Sequence, residues 1–357
     1  MSNLNGEKPA PVGSFQGITA YGTYDMAGNV REWCWNETGK GRLIRGGAWN
    51  DFSYMYGNRT QASSFDRSEK NGFRCVLYIS PEKLPETVFE PDLFEEPIDL
   101  YKQKPVPDDV FKAYKNQFSY DKTDLNAQVE SKDDSAEDWI KERITFDAAY
   151  ENERMIMFLF LPKNASPPFQ TVIYFPGSGS VRKRSSENIK DVGEFKQNLA
   201  FLLKNGRAVV YPIYKGTFER GDPKLAPIHT GDNSHLFTQY LIKLVQDLKR
   251  SIDYLEIRED INIDKLAYFG FSWGGNWGAI ISAVEDRLKI PTLMLNGEYD
   301  MTFPFETTVK PMYDLLGTPD EHKVLKTYPT DHFIPISEQV REVLAWPFVI
   351  TRPIVPK

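Results

Sequence analysis

The stretch YFGFSWGGNWGAI, residues Tyr268–Ile280, carries the strongest structural signal in this sequence. Ser272 lies between Gly270 and Gly274 in the spacing G-x-S-x-G. A nucleophile on a sharp turn between a strand and a helix needs neighbours without Cβ atoms, because the flanking backbone approaches closely there. The apolar run Lys265–Phe269 before the turn and the helical apolar spacing after it predict a strand and a helix. The stretch therefore predicts an exposed, activated serine.

Length and composition limit the class of protein. The 357 residues are 41% hydrophobic and can bury a large core, and the length favours two domains. The net charge of −7 gives no basic field for nucleic acid, and the one dense basic cluster, at 182–184, is expected to be a solvated loop. The sequence has no apolar run of membrane-span length and no signal peptide, which favours a cytoplasmic location. Cys34 and Cys75 are expected to be reduced, buried thiols.

Composition divides the chain into three parts. Residues 1–78 are rich in Gly, Trp, Asn and Arg, residues 79–107 form a Pro- and acid-rich linker, and residues 108–357 alternate strands and helices. The alternation predicts an α/β fold with a mostly parallel sheet and helices on both faces. The expected strands are 126–130, 141–146, 155–161, 171–177 and 208–214, followed by the serine strand, and the expected helices include 188–205 and 234–255.

A serine nucleophile needs a base, and the base needs an acid to orient it. Of the four histidines, His332 follows a strand-like run near the C-terminus, where the last member of such a triad belongs. A buried strand within 290–304 ends in a turn that holds two candidate acids, Glu298 and Asp300. In this arrangement His332 takes the proton from Ser272 as the serine attacks a carbonyl carbon.

The oxyanion that forms in such an attack needs fixed hydrogen-bond donors. The sequence places two backbone N–H groups where they are needed: that of Trp273, directly after the nucleophile, and that of Ser178 in the turn FPGSGS, residues 175–180. Gly177 is a candidate for the substrate pocket in the same turn. An ordinary flexible turn is the alternative for Gly177 and Gly179.

Residues 108–357 resemble bacterial α/β-hydrolase esterases. Three blocks carry the resemblance: GFSWGG (270–275), LNGEYD (295–300) and TDHFIP (330–335). The resemblance implies an α/β-hydrolase fold and cleavage of a small-molecule carboxylic ester through an acyl-enzyme intermediate. In the family the acid falls three residues after a glycine, here Gly297, which selects Asp300 over Glu298. The segment YPIYKGTFERG (211–221) is also similar, and its Tyr214 is a candidate for the substrate pocket, with a buried packing role as the equal alternative.

Two other functions stay open on the same residues. A serine peptidase of the prolyl-oligopeptidase type uses the same triad but requires a second domain that covers the site. An inactive hydrolase fold that acts as a binding module is the other, because the family has a further strand and a cap-like segment between the serine helix and the acid strand. Here DRLK runs straight into IPTLML. We expect residues to be missing between Lys289 and Ile290, rather than a lost strand.

The N-terminal part resembles a different family. The blocks YGTYDMAGNVREWCW (21–35), IRGGAWN (44–50) and NGFRCV (71–76) are similar to the C-terminal portion of the formylglycine-generating enzyme, or sulfatase-modifying factor, domain. They cover about 70 residues of a longer domain, so we expect a fragment. Oxidase activity in that family requires a copper-binding cysteine pair after the GGxW block, and Asn50–Tyr56 contains no cysteine. A structural or docking role is therefore expected.

The same resemblance implies a structural calcium site built from carboxylates and backbone carbonyls, which suit Ca²⁺, at Asp25, Gly28, Val30 and Glu32. In the alternative, these residues form a turn in which Glu32 pairs with Arg45 or Arg74. No cofactor is expected for catalysis. Resembling bacterial proteins are long chains with a Ser/Thr kinase module upstream, and we expect this chain to be part of such a multidomain protein, although it contains no kinase motif itself.

Overall fold

The computed structural model describes residues 2–4, 6–51, 56, 59–92, 98–222, 235–288 and 291–346. The chain divides into two compact units. The N-terminal unit comprises Met1–Leu100 with Glu298–Thr307, and the larger unit comprises Tyr101–Gly297 with Thr308–Lys357. The first division lies inside the predicted linker 79–107, and the turn that holds Asp300 groups with the N-terminal unit.

The N-terminal unit contains a four-stranded sheet. Its strands are β1 (Arg31–Thr38), β2 (Gly41–Arg45), β3 (Thr60–Ala62) and β4 (Asn71–Gly72), in the spatial order β3-β2-β1-β4. β1 and β2 form an antiparallel hairpin, and β4 lies parallel to β1 at one edge. Arg31 at the start of β1 binds Asp51 with two hydrogen bonds, of 2.9 and 2.7 Å. This bidentate pair fixes the sheet against the loop that follows β2.

Cys34 lies in this sheet and Cys75 lies shortly after it, and the two cysteines differ in exposure. Cys34 in β1 is half-buried and Cys75 is exposed, and both are free thiols. Burial raises the pKa of Cys34. The expected burial is wrong for Cys75, because that residue follows the two-residue edge strand β4, where no further strand of the described sheet covers it.

The larger unit is built around a six-stranded sheet. It begins with α1 (Asp108–Asn116), and the elements that follow are β5 (Gln128–Asp133), β6 (Trp139–Asp147), β7 (Arg154–Pro162), β8 (Phe169–Phe175), α2 (Gly193–Asn198), α3 (Ala200–Lys204), β9 (Ala208–Ile213), α4 (His235–Glu256), β10 (Ile261–Gly270) and α5 (Trp273–Val284). The spatial order is β10-β8-β9-β7-β6-β5. β8 pairs in parallel with β9 and β10, whereas the entry strands β5, β6 and β7 pair antiparallel, as does β7 with β9. The sheet is therefore mixed, with its parallel part on the serine strand's side.

Helices cover both faces of this sheet. Successive side chains of a strand point to opposite faces, so neighbouring residues of β8 pack against different helices. Tyr174 in β8 packs in a core with Phe195 of α2 and the buried leucines of α3. Its neighbour Phe175 packs in a second core with Leu244 of α4 and Trp273 of α5. The alternating burial of β8 thus joins α2 and α3 to one face and α4 and α5 to the other.

A second, two-stranded sheet follows the serine helix. β11 (Thr292–Gly297) and β12 (Lys323–Tyr328) pair in parallel and are not part of the six-stranded sheet in the described residues. α6 (Lys310–Asp314) lies between them in sequence, and α7 (Ile336–Ala345) follows. The interruption falls where the sequence departs from the hydrolase pattern. The Lys289–Ile290 peptide lies outside the described residues, so the hypothesis of missing residues stays a prediction.

The helix expected over 188–205 is broken. α2 and α3 are separated by Leu199, whose φ of −121° leaves the helical range, and a short 3-10 turn precedes them at Ile189–Asp191. Leu199 is fully buried and keeps the apolar spacing of a continuous helix. Periodicity therefore predicted the buried face correctly but could not reveal the break. No helix in the described ranges is long and apolar enough to span a membrane.

Candidate active site

Ser272 occupies a strained turn between β10 and α5. Its φ of 51° and ψ of −108° are unusual for a residue with a side chain. A Cβ atom on Gly270 would lie 2.4 Å from the carbonyl oxygen of Gly274, and one on Gly274 would lie 2.2 Å from that of Phe175. The two glycines of the G-x-S-x-G spacing are thus required by backbone contacts on both sides of the serine.

The structure brings Ser272 and His332 together. Ser272 Oγ lies 2.7 Å from His332 Nε2, a hydrogen-bond distance, although the residues are 60 positions apart in sequence. His332 lies in the turn after β12, and both side chains are half-buried. The ring of Phe333 contacts the His332 ring at 5.2 Å and the Phe271 ring at 6.1 Å between centroids. Aromatic rings therefore flank the pair, with Phe271 directly before Ser272 and Phe333 directly after His332. Both members of the pair keep part of their surface exposed to solvent.

The other histidines are not in this arrangement. His235 is exposed at the first residue of α4, where its Nε2 lies 3.0 Å from Gln239. His322 lies in a 3-10 turn before β12. His229 lies outside the described residues.

The two candidate acids differ in burial. Asp300 is 3% exposed, and its Oδ1 accepts hydrogen bonds from the backbone N–H groups of Thr302 at 2.8 Å and Phe303 at 3.0 Å. Glu298 is exposed. A buried, hydrogen-bonded carboxylate is the usual partner of a catalytic histidine, so burial favours Asp300 of the two.

The last residue of β11 lies close to the turn after β12. The register pairs Gly297 with Tyr328 at the carboxyl ends of the two parallel strands. A Cβ atom on Gly297 would lie 1.8 Å from the carbonyl oxygen of Asp331, next to His332. Only glycine fits this position, which gives a steric reason for the glycine that precedes the acid in sequence.

The turn after β8, which holds Ser178, and the serine turn, which holds Trp273, are neighbours. β8 and β10 are neighbours, with Phe175 paired to Gly270, so the turn after β8 begins next to the nucleophile. The N–H of Gly274 donates to the carbonyl oxygen of Pro176 at 3.1 Å and joins the two turns. Among the described residues, neither the Trp273 N–H nor the Ser178 N–H donates to a protein acceptor. Each begins a helical segment, where N–H groups have no acceptor within the helix.

The two pocket candidates have structural partners. Tyr214 is fully buried, its ring stacks on Phe175 at 4.1 Å, and its hydroxyl donates to the carbonyl oxygen of Tyr174 at 3.1 Å. Burial raises the pKa of Tyr214 well above its ordinary value. These contacts support the packing role rather than contact with a substrate. The Gly177 N–H donates to Glu194 at 3.0 Å, and Gly177 packs against the Phe271 ring.

A buried charged network holds the segment after β9, and sequence reasoning missed it. Asp247 of α4 accepts hydrogen bonds from the Lys215 backbone N–H at 2.7 Å, from Arg220 at 2.5 Å and from the Tyr150 hydroxyl at 2.8 Å. Burial raises the pKa of Asp247, against the opposing effect of Arg220. The available signal was an aspartate on the apolar face of α4, close to Leu244, because a buried carboxylate requires such partners.

Arg74 binds several oxygen atoms of the segment that contains the four calcium candidates. The Arg74 guanidinium pairs with both carboxylate oxygens of Glu32, at 3.0 and 3.1 Å, and also donates to the carbonyl oxygens of Tyr24 and Asp25. The hydrogen bond to Glu32 raises the pKa of Arg74. Asp25 Oδ2 accepts from the Gly13 N–H at 2.9 Å. Gly28 and Val30 belong to the same turn, and the calcium site stays a prediction.

Among the residues that the structure describes, no three or more His, Cys, Asp or Glu side chains are grouped to hold a metal ion. The contacts of Arg74 match the alternative in which Glu32 pairs with that residue.

Each of the two parts of the chain is similar to known proteins. Among solved structures, acetyl xylan esterase 1 from Thermoanaerobacterium sp. JW/SL YS485 aligns with a TM-score of 0.53 at 15% identity, over 72% of this chain and 98% of that chain. The larger unit has the α/β-hydrolase fold. Residues 2–79 match the family model of the sulfatase-modifying factor enzyme 1-like domain.

Other solved esterases align less closely. An acetyl xylan esterase from Paenibacillus sp. R4 gives a TM-score of 0.46 at 18% identity, over 70% of this chain and 98% of that chain. A cold-adapted esterase from an Arctic intertidal metagenomic library gives 0.47 at 14% identity, over 62% and 98%. No curated protein sequence is significantly similar to this chain.

Proposed function

We propose that this protein is a serine hydrolase that cleaves carboxylic esters through an acyl-enzyme intermediate. The observation that carries the proposal is the 2.7 Å contact between Ser272 Oγ and His332 Nε2 on a strained strand-to-helix turn. A hydroxyl becomes a useful nucleophile when an adjacent base removes its proton. The half-buried pair supplies both groups at hydrogen-bond distance.

In the first step, Ser272 Oγ attacks the ester carbonyl carbon and its proton passes to His332 Nε2. The carbonyl electron pair moves to the oxygen, and the resulting oxyanion accepts hydrogen bonds from the N–H groups of Trp273 and Ser178. Collapse of this intermediate expels the alcohol, which takes the proton from His332. Water then repeats the sequence on the acyl-enzyme and releases the carboxylic acid.

Asp300 is the proposed acid that fixes the tautomer and orientation of the His332 ring. Its burial and its two backbone hydrogen bonds support this role over Glu298. We expect D300N to lower kcat by about 10⁴-fold, the cost of the wrong tautomer in a serine triad. E298Q is the matched control on the same turn, and equal losses in the two variants would contradict the assignment.

A small-molecule ester is the proposed substrate class. The solved structures that share the fold include acetyl xylan esterases and other esterases. The triad chemistry also cleaves amides, so ester specificity is proposed on the resemblance and must be measured. We assign no oxidase chemistry to the N-terminal unit, because residues 50–56 contain no cysteine.

The test is hydrolysis of p-nitrophenyl acyl esters from C2 to C12, with a proline p-nitroanilide as the amide arm. We expect ester turnover that disappears in S272A. The matched control is S282A, since Ser282 lies in the same helix α5 and its Oγ donates to the Ala279 carbonyl oxygen. Faster cleavage of the anilide would favour the peptidase. A folded protein with no turnover above S272A would favour the inactive binding module. The separation of β11 and β12 from the six-stranded sheet is also compatible with that alternative.

A further inference from the structure

We propose that Ser180 and Glu194 are positioning residues that orient the turn after β8 so that the Ser178 N–H meets the oxyanion. This inference rests on the proposed function, because it assumes that a tetrahedral oxyanion forms at Ser272. It adds two side chains that lie outside the catalytic blocks of the sequence and act through the Gly177–Ser178 backbone.

Ser180 fixes the peptide that carries the donor. Its Oγ donates to the carbonyl oxygen of Gly177 at 2.8 Å, and its backbone N–H donates to the same oxygen at 3.1 Å. The Ser180 side chain is buried, at 2% exposure. A trans peptide unit is rigid and planar, with its C=O and N–H pointing in opposite directions. Holding the Gly177 carbonyl therefore aims the Ser178 N–H away from Ser180.

Glu194 fixes the preceding peptide. Its Oε1 accepts hydrogen bonds from the Gly177 N–H at 3.0 Å and from the Tyr174 hydroxyl at 2.7 Å. The Tyr174 hydroxyl also accepts from Asn198 at 2.9 Å. Because the Gly177 N–H already donates to Glu194, it is excluded as the oxyanion donor, and the next N–H along the turn, that of Ser178, takes this role.

The two anchors hold consecutive peptide units of one turn. Donors that are fixed before the reaction stabilise the oxyanion without reorganisation, and loss of one donor lowers kcat about 10²- to 10³-fold. Removing an anchor keeps the Ser178 N–H group but allows the peptide that carries it to rotate away from the oxyanion. The loss is therefore expected to be smaller than loss of the donor, and to fall on the transition state rather than on substrate binding.

The experiment compares S180A, E194A, E194Q and Y174F with S251A. Ser251 is the matched control, because it is fully buried and its Oγ bonds a carbonyl oxygen within α4, that of Asp247. Each variant is assayed for kcat and KM on p-nitrophenyl acetate. Each is also assayed for inhibition by a trifluoromethyl ketone, whose carbonyl carbon adds Ser272 Oγ to give a hemiketal oxyanion while the serine proton passes to His332.

We expect S180A and E194A to lower kcat roughly tenfold or more, with KM unchanged within about twofold and the ketone weakened by the same factor as kcat. Glutamine keeps an acceptor oxygen, so E194Q should recover most of what E194A loses. Y174F removes only one donor to Glu194 and should give an intermediate loss, which keeps the test informative if E194A fails to fold. Hydrogen exchange of the Gly177 amide should be faster in E194A than in E194Q.

Losses in S180A and E194A no larger than in S251A would overturn the inference, while turnover that depends on Ser272 would leave the proposed function standing. A loss that appears in KM alone would also overturn it. If the wild-type protein shows no turnover that depends on Ser272, the proposed function fails first and the positioning role falls with it.

Discussion

Replacing Gly274 with alanine would place a methyl carbon 2.2 Å from the carbonyl oxygen of Phe175. Real Cβ atoms essentially never approach a heavy atom closer than 3.0 Å, so the start of α5 and the end of β8 must separate by about 1 Å in a close-packed interior. The displaced backbone carries Ser272 on one side and the oxyanion turn on the other. A misplacement of about 1 Å costs roughly 10²-fold in rate, and we expect kcat/KM of G274A to fall by about that factor.

Stability should fall as well. Overpacking a well-packed site destabilises the fold by about 1–3 kcal/mol, whereas replacing glycine with alanine in a helix stabilises it by about 1 kcal/mol. Gly275 is the control, because a Cβ atom there would meet its nearest neighbour, the Gly270 carbonyl oxygen, at an ordinary 3.4 Å. G275A should therefore be as stable as the wild type or more so. Urea unfolding and p-nitrophenyl acetate kinetics on both variants check this, and equal behaviour of the two would refute the steric reasoning.

Three further changes test other contacts. S272G should raise the free energy of unfolding by about 1 kcal/mol, because glycine adopts the positive φ without strain, while hydrolysis is abolished; lower stability in urea would contradict this. Arg258 holds the pKa of Asp260 below its ordinary value. That carboxylate's stabilisation is present above the unfolded pKa of about 4 and is lost as pH falls through the lower folded pKa. D260N should therefore show less loss of stability than the wild type in urea titrations from about pH 5 downward. R74Q leaves Glu32 without its cation and should lower thermal stability by about 1 kcal/mol, since the pair is partly exposed, and Ca²⁺ that restored it would support a metal site instead.

Local sequence patterns predicted most elements of the larger unit. The entry strands, the buried strands β8 and β9, the long helix α4 and the order of strand, turn and helix around Ser272 are all present. These features follow from apolar periodicity and turn chemistry, which are properties of neighbouring residues. The G-x-S-x-G spacing succeeded because the close approach of Phe175 and the positive φ of Ser272 demand glycines at fixed positions.

Features that depend on distant contacts were not predictable in the same way. The sequence gives no sign that β11 and β12 pair with each other apart from the main sheet, since strand neighbours are chosen by tertiary packing. The break at Leu199 and the burial of Asp247 also depend on what packs against them. For the calcium candidates the sequence left two alternatives open, and the pairing of Glu32 with Arg74 across 42 positions became visible only in the folded chain.

Part of the candidate site was predicted and part was not. Chain order paired Ser272 with His332 across 60 positions, and the structure places their Oγ and Nε2 atoms 2.7 Å apart. The roles of Asp300 and of the oxyanion donors stay predictions. The burial of Asp300 supports the first, and the N–H groups of Trp273 and Ser178, which have no acceptor among the described residues, support the second. Glu194 was missed because its hydrogen bond to the Gly177 N–H spans 17 residues and exists only in the folded protein.

The most direct measurement of an activated Ser272 is covalent labelling with a fluorophosphonate, followed by intact-mass and peptide mass spectrometry. The wild-type protein should gain one adduct, on the peptide that contains Ser272, as the serine oxygen displaces fluoride from phosphorus. S272A should gain none, and H332Q should label far more slowly. Labelling of wild type and H332Q at the same rate, or no adduct on Ser272 in a folded protein, would contradict nucleophilic activation by His332.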